Sequence, residues 1–276
     1  MTSFDRPDDY GERRRAWLEA WRLQVRVVAA LVRRETRAHF GETRMGYLWA
    51  IVEPTLHLIG YVILFGYILG RHVPVGGSLT LFMLTGLVPY FLYMKQAVYL
   101  AGAVAGNKPL LNLPPVKPFD VFVSRGILEA STYLFVGAIM LIALILAGNT
   151  DAIPRNPIVL AEAILLVVFF GMGLGMVNAV MQTFIPTWTT MFTLVMGPLY
   201  LLSGVWFIPQ EIPPPFRGYL LINPVMHFIM WFRAGFYPND VATYLDRGYA
   251  ISASVGVFVL GLALQRVMRR KLLEPI

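Results

Sequence analysis

The chain has no cysteine in its 276 residues, which excludes disulfides and any thiolate metal site. Charge is also scarce. Asp, Glu, Lys and Arg make up 14% of the residues, against about 25% in soluble domains. No Gly-Lys pair occurs, so the phosphate-cradling loop G-x-x-x-x-G-K-[ST] is absent. Four histidines, His39, His57, His72 and His227, stand far apart and show no metal-ligand spacing such as H-E-x-x-H. No serine has a histidine and an acid near it in sequence, which leaves open only a triad assembled from distant positions. Apolar residues are abundant instead, at 57% with a mean hydropathy of +0.62. That balance marks an all-α membrane protein rather than a soluble enzyme.

Apolar runs near the roughly 20 residues that a bilayer requires are read at 46–70, 79–104, 121–147, 157–182, 188–207 and 249–267. Six transmembrane helices put both termini on one side, and the basic residues select it. Ten of the lysines and arginines precede residue 46, Lys108 and Lys117 lie in the second loop, and Arg266, Arg269, Arg270 and Lys271 lie near the end. The positive-inside rule then makes both termini cytoplasmic. The net charge of +7 is therefore a topology signal and not a nucleic-acid footprint. No cleavable signal pattern is read in residues 1–45, which form a cytoplasmic tail followed by a helix.

That helix is amphipathic. At 100° per residue Trp17, Trp21, Val28, Leu31 and Val32 share one face, while Arg15, Arg22, Arg26, Arg33 and Arg37 share the opposite one. Such a helix suits the membrane interface, as a topology anchor or as a collar that also meets a cytoplasmic partner. Between 208 and 240 the pattern changes. Two apolar pieces near 216–222 and 224–237 are each too short to span, and prolines 213–215 and Asn223-Pro224 break them. The expectation is a re-entrant helical hairpin on the periplasmic side before the last span; a loop lying on the lipid surface is the alternative. "GMGLG" at 171–175 lies within an apolar run with no strand before it, so Gly171 and Gly175 are read as a helix-packing face.

Charges inside apolar runs are functional suspects, since each costs a few kcal/mol in lipid. Glu53 and His57 stand one turn apart, as do Arg125 and Glu129, and each couple is expected to pair. Lys95 has no evident partner in sequence and is the better candidate for an anionic substrate group. Tyr61, Phe65, Tyr67, Tyr90, Phe91, Tyr93 and Tyr99 offer ring faces for sugars, or else pack in the core or against lipid. The remaining puzzle is "NKPLLNLPPVKPFD" at 107–120, where a proline-rich loop displays three leucines.

Four stretches carry a family resemblance: "FGETRMGYLWAIVEPTLHLIGYVILFGYILG" (40–70), "LFMLTGLVPYFLY" (81–93), "LLNLPPVKPFDVFVSRGILE" (110–129) and "INPVMHFIMWFRAGFY" (222–237). In this order they resemble the permease subunit of polysaccharide-exporting ABC transporters. The Glu53-Pro54-x-x-His57 form and the prolines at 114–118 resemble the Gram-negative capsular branch most. The resemblance covers nearly everything from residue 30 onward; the arginine-rich start has no counterpart in it.

The resemblance implies a permease domain over 46–276 in the bacterial inner membrane, working as a homodimer with two copies of a separate ATPase. ATP and magnesium would belong to that ATPase, and this chain would bind no cofactor and perform no catalysis. The loop at 105–120 becomes a coupling helix, with Leu110, Leu111, Leu113, Pro114, Pro115 and Lys117 as its docking residues. Arg44, Tyr47, Trp49, Tyr90, Phe91, Tyr93, Lys95, Tyr99 and Arg125 become candidates for the path of an acidic, lipid-linked polysaccharide. Asn223, Pro224, Trp231 and Arg233 become candidates for a periplasmic gate, beside a periplasmic co-polymerase or adaptor. O-antigen or teichoic acid export, a secondary carrier working through Glu53 and His57, and a lipid-linked sugar transferase are the competing readings.

Overall fold

The computed structural model describes residues 8–41, 44–70, 72–111, 115–237, 241–269 and 271, and of residues 8–13, 44–47 and 50 only the backbone. Every regular element among them is helical. The long helices are α1 (Asp8–Phe40), α2 (Arg44–Val62, continued as a π-helix over Ile63–Ile68), α3 (Leu79–Tyr99), α5 (Pro118–Leu146), α6 (Pro157–Phe184) and α10 (Arg247–Val267). Shorter ones are α4 (Lys108–Leu111), α7 (Trp188–Leu201), α8 (Pro214–Leu220) and α9 (Pro224–Ala234). Among the described residues five segments are long and apolar enough to cross a bilayer: Ile51–Ile68, Leu79–Gly102, Pro118–Leu146, Pro157–Phe184 and Arg247–Val267. At 14 residues, α7 extends only about 21 Å.

Helix starts follow their local chemistry. Pro118 opens α5 at the first turn, where the missing N–H costs nothing, and the Asp120 carboxylate accepts the Lys117 N–H at 2.9 Å. Ser78, Asn156, Asn223 and Asp246 accept N–H groups of the first turns of α3, α6, α9 and α10, which satisfies donors that a helix leaves orphaned.

The centre of the bundle is α3, buried along most of its length against α5, α6 and α9. The "GMGLG" stretch explains the close approach. A Cβ at Gly171 would stand 2.8 Å from the Tyr93 Cα, and one at Gly175 would stand 2.5 Å from the Leu100 Cβ, so these two glycines seat α6 on α3. The packing reading of the motif holds. The glycine between them faces the other way: a Cβ at Gly173 would meet the Phe258 N at 2.6 Å, and one at Gly261 would meet the Gly173 O at 2.7 Å. Alternate glycines thus let α6 touch a helix on each side.

The connections sort to two ends. The α3–α5 loop, α1 and the end of α10 lie together, as do the end of α6 and Lys271, whose ammonium sits 4.2 Å from the Phe184 ring. At the opposite end α9 is buried throughout, and its Arg233 fastens the chain around it. Arg233 Nη1 donates to the Gly204 O at 2.6 Å, Nη2 donates to the Val205 O at 2.7 Å and the Phe82 O at 3.2 Å, and the guanidinium lies 3.8 Å from the Phe82 ring centre.

Candidate functional site

The apolar face of α1 docks on the bundle through Val27 and Leu31, which pack with Leu100, Val104, Val121 and Phe122. The next position on that face, one turn beyond Leu31, is an acid. Glu35 is 2% exposed, and its carboxylate receives Arg125 Nε of α5 at 2.9 Å and Asn107 Nδ2 of the α3–α5 loop at 2.6 Å. Asn107 also donates to the Ala103 carbonyl at 3.0 Å and accepts from Arg34. Arg125 Nη1 reaches the Tyr99 carbonyl at 3.1 Å, and its guanidinium lies 4.7 Å from the Tyr99 ring centre. A second tie joins Gln24 to Asp120. One buried ion pair with its hydrogen bonds therefore binds α1, the end of α3, the loop and α5 into a single joint.

His39 lies one turn beyond Glu35, its ring edge-on to Tyr99 at 4.4 Å and its Nε2 3.7 Å from Glu129. Burial first, and the Arg125 charge second, hold its imidazole below the ordinary range, so near neutral pH it packs as an uncharged ring. The buried pair at the centre of the cluster is thus Glu35 with Arg125, flanked by Asn107 and, 3.8 Å from Glu35 on the more open side, by Arg34.

The loop sits beside this joint. In α4, Leu110 and Leu111 are half-buried and pack on the chain's own core, while Pro109, Pro115 and Lys117 are exposed. Leu113 and Pro114 lie outside the described residues, so the expectation placed on them has no structural counterpart here.

Farther along α2 and α3 runs an aromatic strip. His57 Nε2 and the Tyr200 hydroxyl are 2.8 Å apart. Tyr61 stands 4.0 Å from Trp206, and Phe65 stacks on Trp206 at 5.2 Å. His57 meets Phe91 at 5.1 Å, and Tyr90 meets Tyr200 at 4.3 Å. Lys95 bonds Glu53 and lies 5.9–6.0 Å from the rings of Phe91 and Tyr133. Side chains of the pair are 30% and 50% exposed, so this charge faces open space at the side of the strip.

These contacts change the pairings expected from sequence. Glu53 pairs with Lys95 and not with His57, which turns to Tyr200. Arg125 pairs with Glu35 across 90 residues and not with Glu129 one turn away. Helical spacing shows which neighbours are within reach; burial and the approach of other helices decide which contact forms. Of the candidate path residues, Phe91, Lys95 and Tyr99 are partly open, and Trp49 is 68% exposed. Tyr90 and Tyr93 are core residues at 5% and 2% exposure, and Arg125 is turned inward. The side chains of Arg44 and Tyr47 lie outside the description. At the opposite end Asn223 caps α9, whose first residue is Pro224, and Trp231 and Arg233 are buried.

Glu35 and Asn107 were not foreseen. The signal for Glu35 was present: it falls on the centre of the apolar stripe of an arginine-rich helix, where an acid needs a buried partner. Asn107 gave no such signal.

Comparison with known proteins adds to this geometry. The ABC-2 type transporter family matches residues 26–237. "Polysialic acid transport protein KpsM" of Escherichia coli is 32% identical over 251 residues, covering 91% of this chain and 96% of that protein. "Capsule polysaccharide export inner-membrane protein CtrC" of Neisseria meningitidis serogroup A is 29% identical over 252 residues, covering 90% and 93%. "Capsule polysaccharide export inner-membrane protein BexB" of Haemophilus influenzae is 26% identical over 246 residues, covering 88% and 91%.

Proposed function

The chain belongs to the ABC-2 type transporter family, and from that premise we propose that it is the membrane permease of an ATP-driven capsular polysaccharide exporter. The observation that carries this reading is the end-to-end similarity to capsule export permeases in a chain that has no nucleotide loop of its own. The energy then comes from a partner ATPase, and the permease converts its closure into movement of a lipid-linked, acidic chain out of the cytoplasm. No bond of the substrate is broken. Two copies of the permease enclose the path, both termini are cytoplasmic, and a periplasmic adaptor receives the chain.

In this reading α7 with residues 202–207 is the sixth span, α1 lies in the interface as a collar, and α8 with α9 forms the re-entrant hairpin. Trp17 and Trp21, 78% and 69% exposed, suit an interfacial position. Lys95 and Arg44 meet the acidic groups of the substrate, and the open aromatic faces of α2 and α3 let sugars slide through many weak contacts. The ATPase docks on the α4 loop. Glu35, Asn107 and Arg125 join that loop rigidly to α1, α3 and α5, so its displacement moves the spans instead of dissipating in a flexible turn.

The test is co-purification from detergent-solubilised membranes of the native host. The intact chain is compared with Pro109→Asp/Leu110→Asp, with thermal unfolding run on both. A Walker-motif ATPase retained by the intact chain and lost from a folded variant is the expected result. Absence of any ATPase from the intact chain would overturn the exporter reading. Transport driven by the proton gradient without ATP would establish a carrier in its place.

A further inference from the structure

Between the start of α5 and the end of α10 lies an open groove of about 690 Å³. On one wall are Lys117 and Phe119; on the other, Val259, Leu262, Arg266 and Arg269. Val259, Leu262 and Arg266 follow at i, i+3 and i+7, which places them on one stripe of α10, and Arg269 follows just past the C-cap residue Met268. From Val259 to Arg266 the rise is about 10 Å. The stripe is therefore apolar along the body of the helix and cationic at its last turn. Phe119 and Val259 are 38% and 55% exposed, so the apolar part is uncovered, and no acid is among the described residues lining the groove. The Asp120 carboxylate, next to Phe119 in sequence, is 1% exposed and turned to the Lys117 N–H and Gln24.

We propose that this groove binds an anionic phospholipid of the surrounding bilayer, its phosphate between Lys117, Arg266 and Arg269 and an acyl chain along Leu262, Val259 and Phe119. Both helices that form it are membrane-crossing candidates, and the cations stand at the ends that share a side with α1. Charge complementarity and the order of cationic and apolar residues along α10 fit an amphiphile whose headgroup stays at the surface. A soluble anion would leave the apolar wall unused. Basic pockets between spanning helices are a recurrent way of holding such headgroups. Lys117 is also the residue that closes the α4 loop, so an occupied groove fixes the exit of that loop against α10.

The full chain is purified from a host that makes no capsule, which removes lipid-linked polysaccharide as a source of phosphate. Native mass spectrometry then counts phosphatidylglycerol and phosphatidylethanolamine of matched chains retained through delipidation. The intact chain is expected to retain phosphatidylglycerol preferentially. Each basic residue near an anionic lipid contributes roughly a fivefold effect, so Arg266→Gln/Arg269→Gln should lose about 30-fold. Arg15→Gln/Arg22→Gln, an equal charge removal on the exposed arginine face of α1, should change retention less than twofold. If the double variant does not stay monodisperse, each single substitution carries the test at roughly fivefold. Equal retention of both lipids by the intact chain, equal losses in the groove and α1 variants, or displacement of the lipid by millimolar inorganic phosphate overturns the proposal.

Discussion

Glu35→Gln removes one charge from the joint and leaves its shape. In the native structure the Glu35 carboxylate holds Arg125 Nε at 2.9 Å and Asn107 Nδ2 at 2.6 Å, with the Arg125 side chain 11% exposed. Without the carboxylate, the guanidinium keeps only the Tyr99 carbonyl and ring and a neutral amide. Stranding one member of a buried pair costs about 3–5 kcal/mol. The surviving Tyr99 contacts place this case at the lower end, about 3 kcal/mol. For a chain of this length that lowers Tm by roughly 6–12 °C. The assay is thermal unfolding in detergent of the wild type, Glu35→Gln, Arg125→Gln and the double variant. Removing both charges strands neither, so the double variant should be more stable than the sum of the single losses by about 2 kcal/mol. A shift below about 2 °C for Glu35→Gln, or simple additivity, would refute the idea that this pair holds α1 to the loop.

Further outcomes follow from other contacts. Gly173→Leu forces side-chain atoms into the Phe258 backbone, where even a Cβ would stand 2.6 Å away; it should cost about 3 kcal/mol or more and be read as lost thermal stability or yield. Arg233→Met leaves the carbonyls of Gly204 and Val205 without the Arg233 donor, while the Phe82 carbonyl keeps the Thr85 hydroxyl, a loss of about 3 kcal/mol, and Arg233→Lys should recover only part because an ammonium lacks the fork. Lys95→Gln breaks an exposed pair, so Tm should stay within about 2 °C while surface polysaccharide falls in a whole-cell assay; unchanged export would remove Lys95 from the path. His39 has a depressed folded pKa, so the unfolded state takes the proton first. Its contribution is whole above about pH 6.5 and declines as pH falls through the lowered folded value. Unfolding curves for His39→Gln should flatten over that interval.

Much of the architecture was legible because lipid imposes simple rules. Length and hydropathy marked the spans at α2, α3, α5, α6 and α10, since a buried backbone in a bilayer must form its hydrogen bonds within the helix. The packing role of Gly171 and Gly175 was readable from spacing alone. The two short pieces near 216 and 224 appear as α8 and α9, because Pro and Asn set helix starts locally. The pairings were not legible in this way. Glu53 and His57, one turn apart, each found a partner on another helix, and Arg125 passed over Glu129 for Glu35.

The sequence by itself determined the helical class, the asymmetry of the basic residues, the want of a nucleotide loop and most helix boundaries. These depend on composition and on interactions within a few residues. The tertiary structure decided which charges are buried, which leucines of the loop serve the core, and which aromatic rings remain open. The joint of Glu35, Asn107 and Arg125 and the groove at Lys117, Arg266 and Arg269 both depend on residues far apart in sequence. Whether such groups meet is set by how closely neighbouring helices approach, and that approach is fixed by glycine contacts and core packing across the whole bundle.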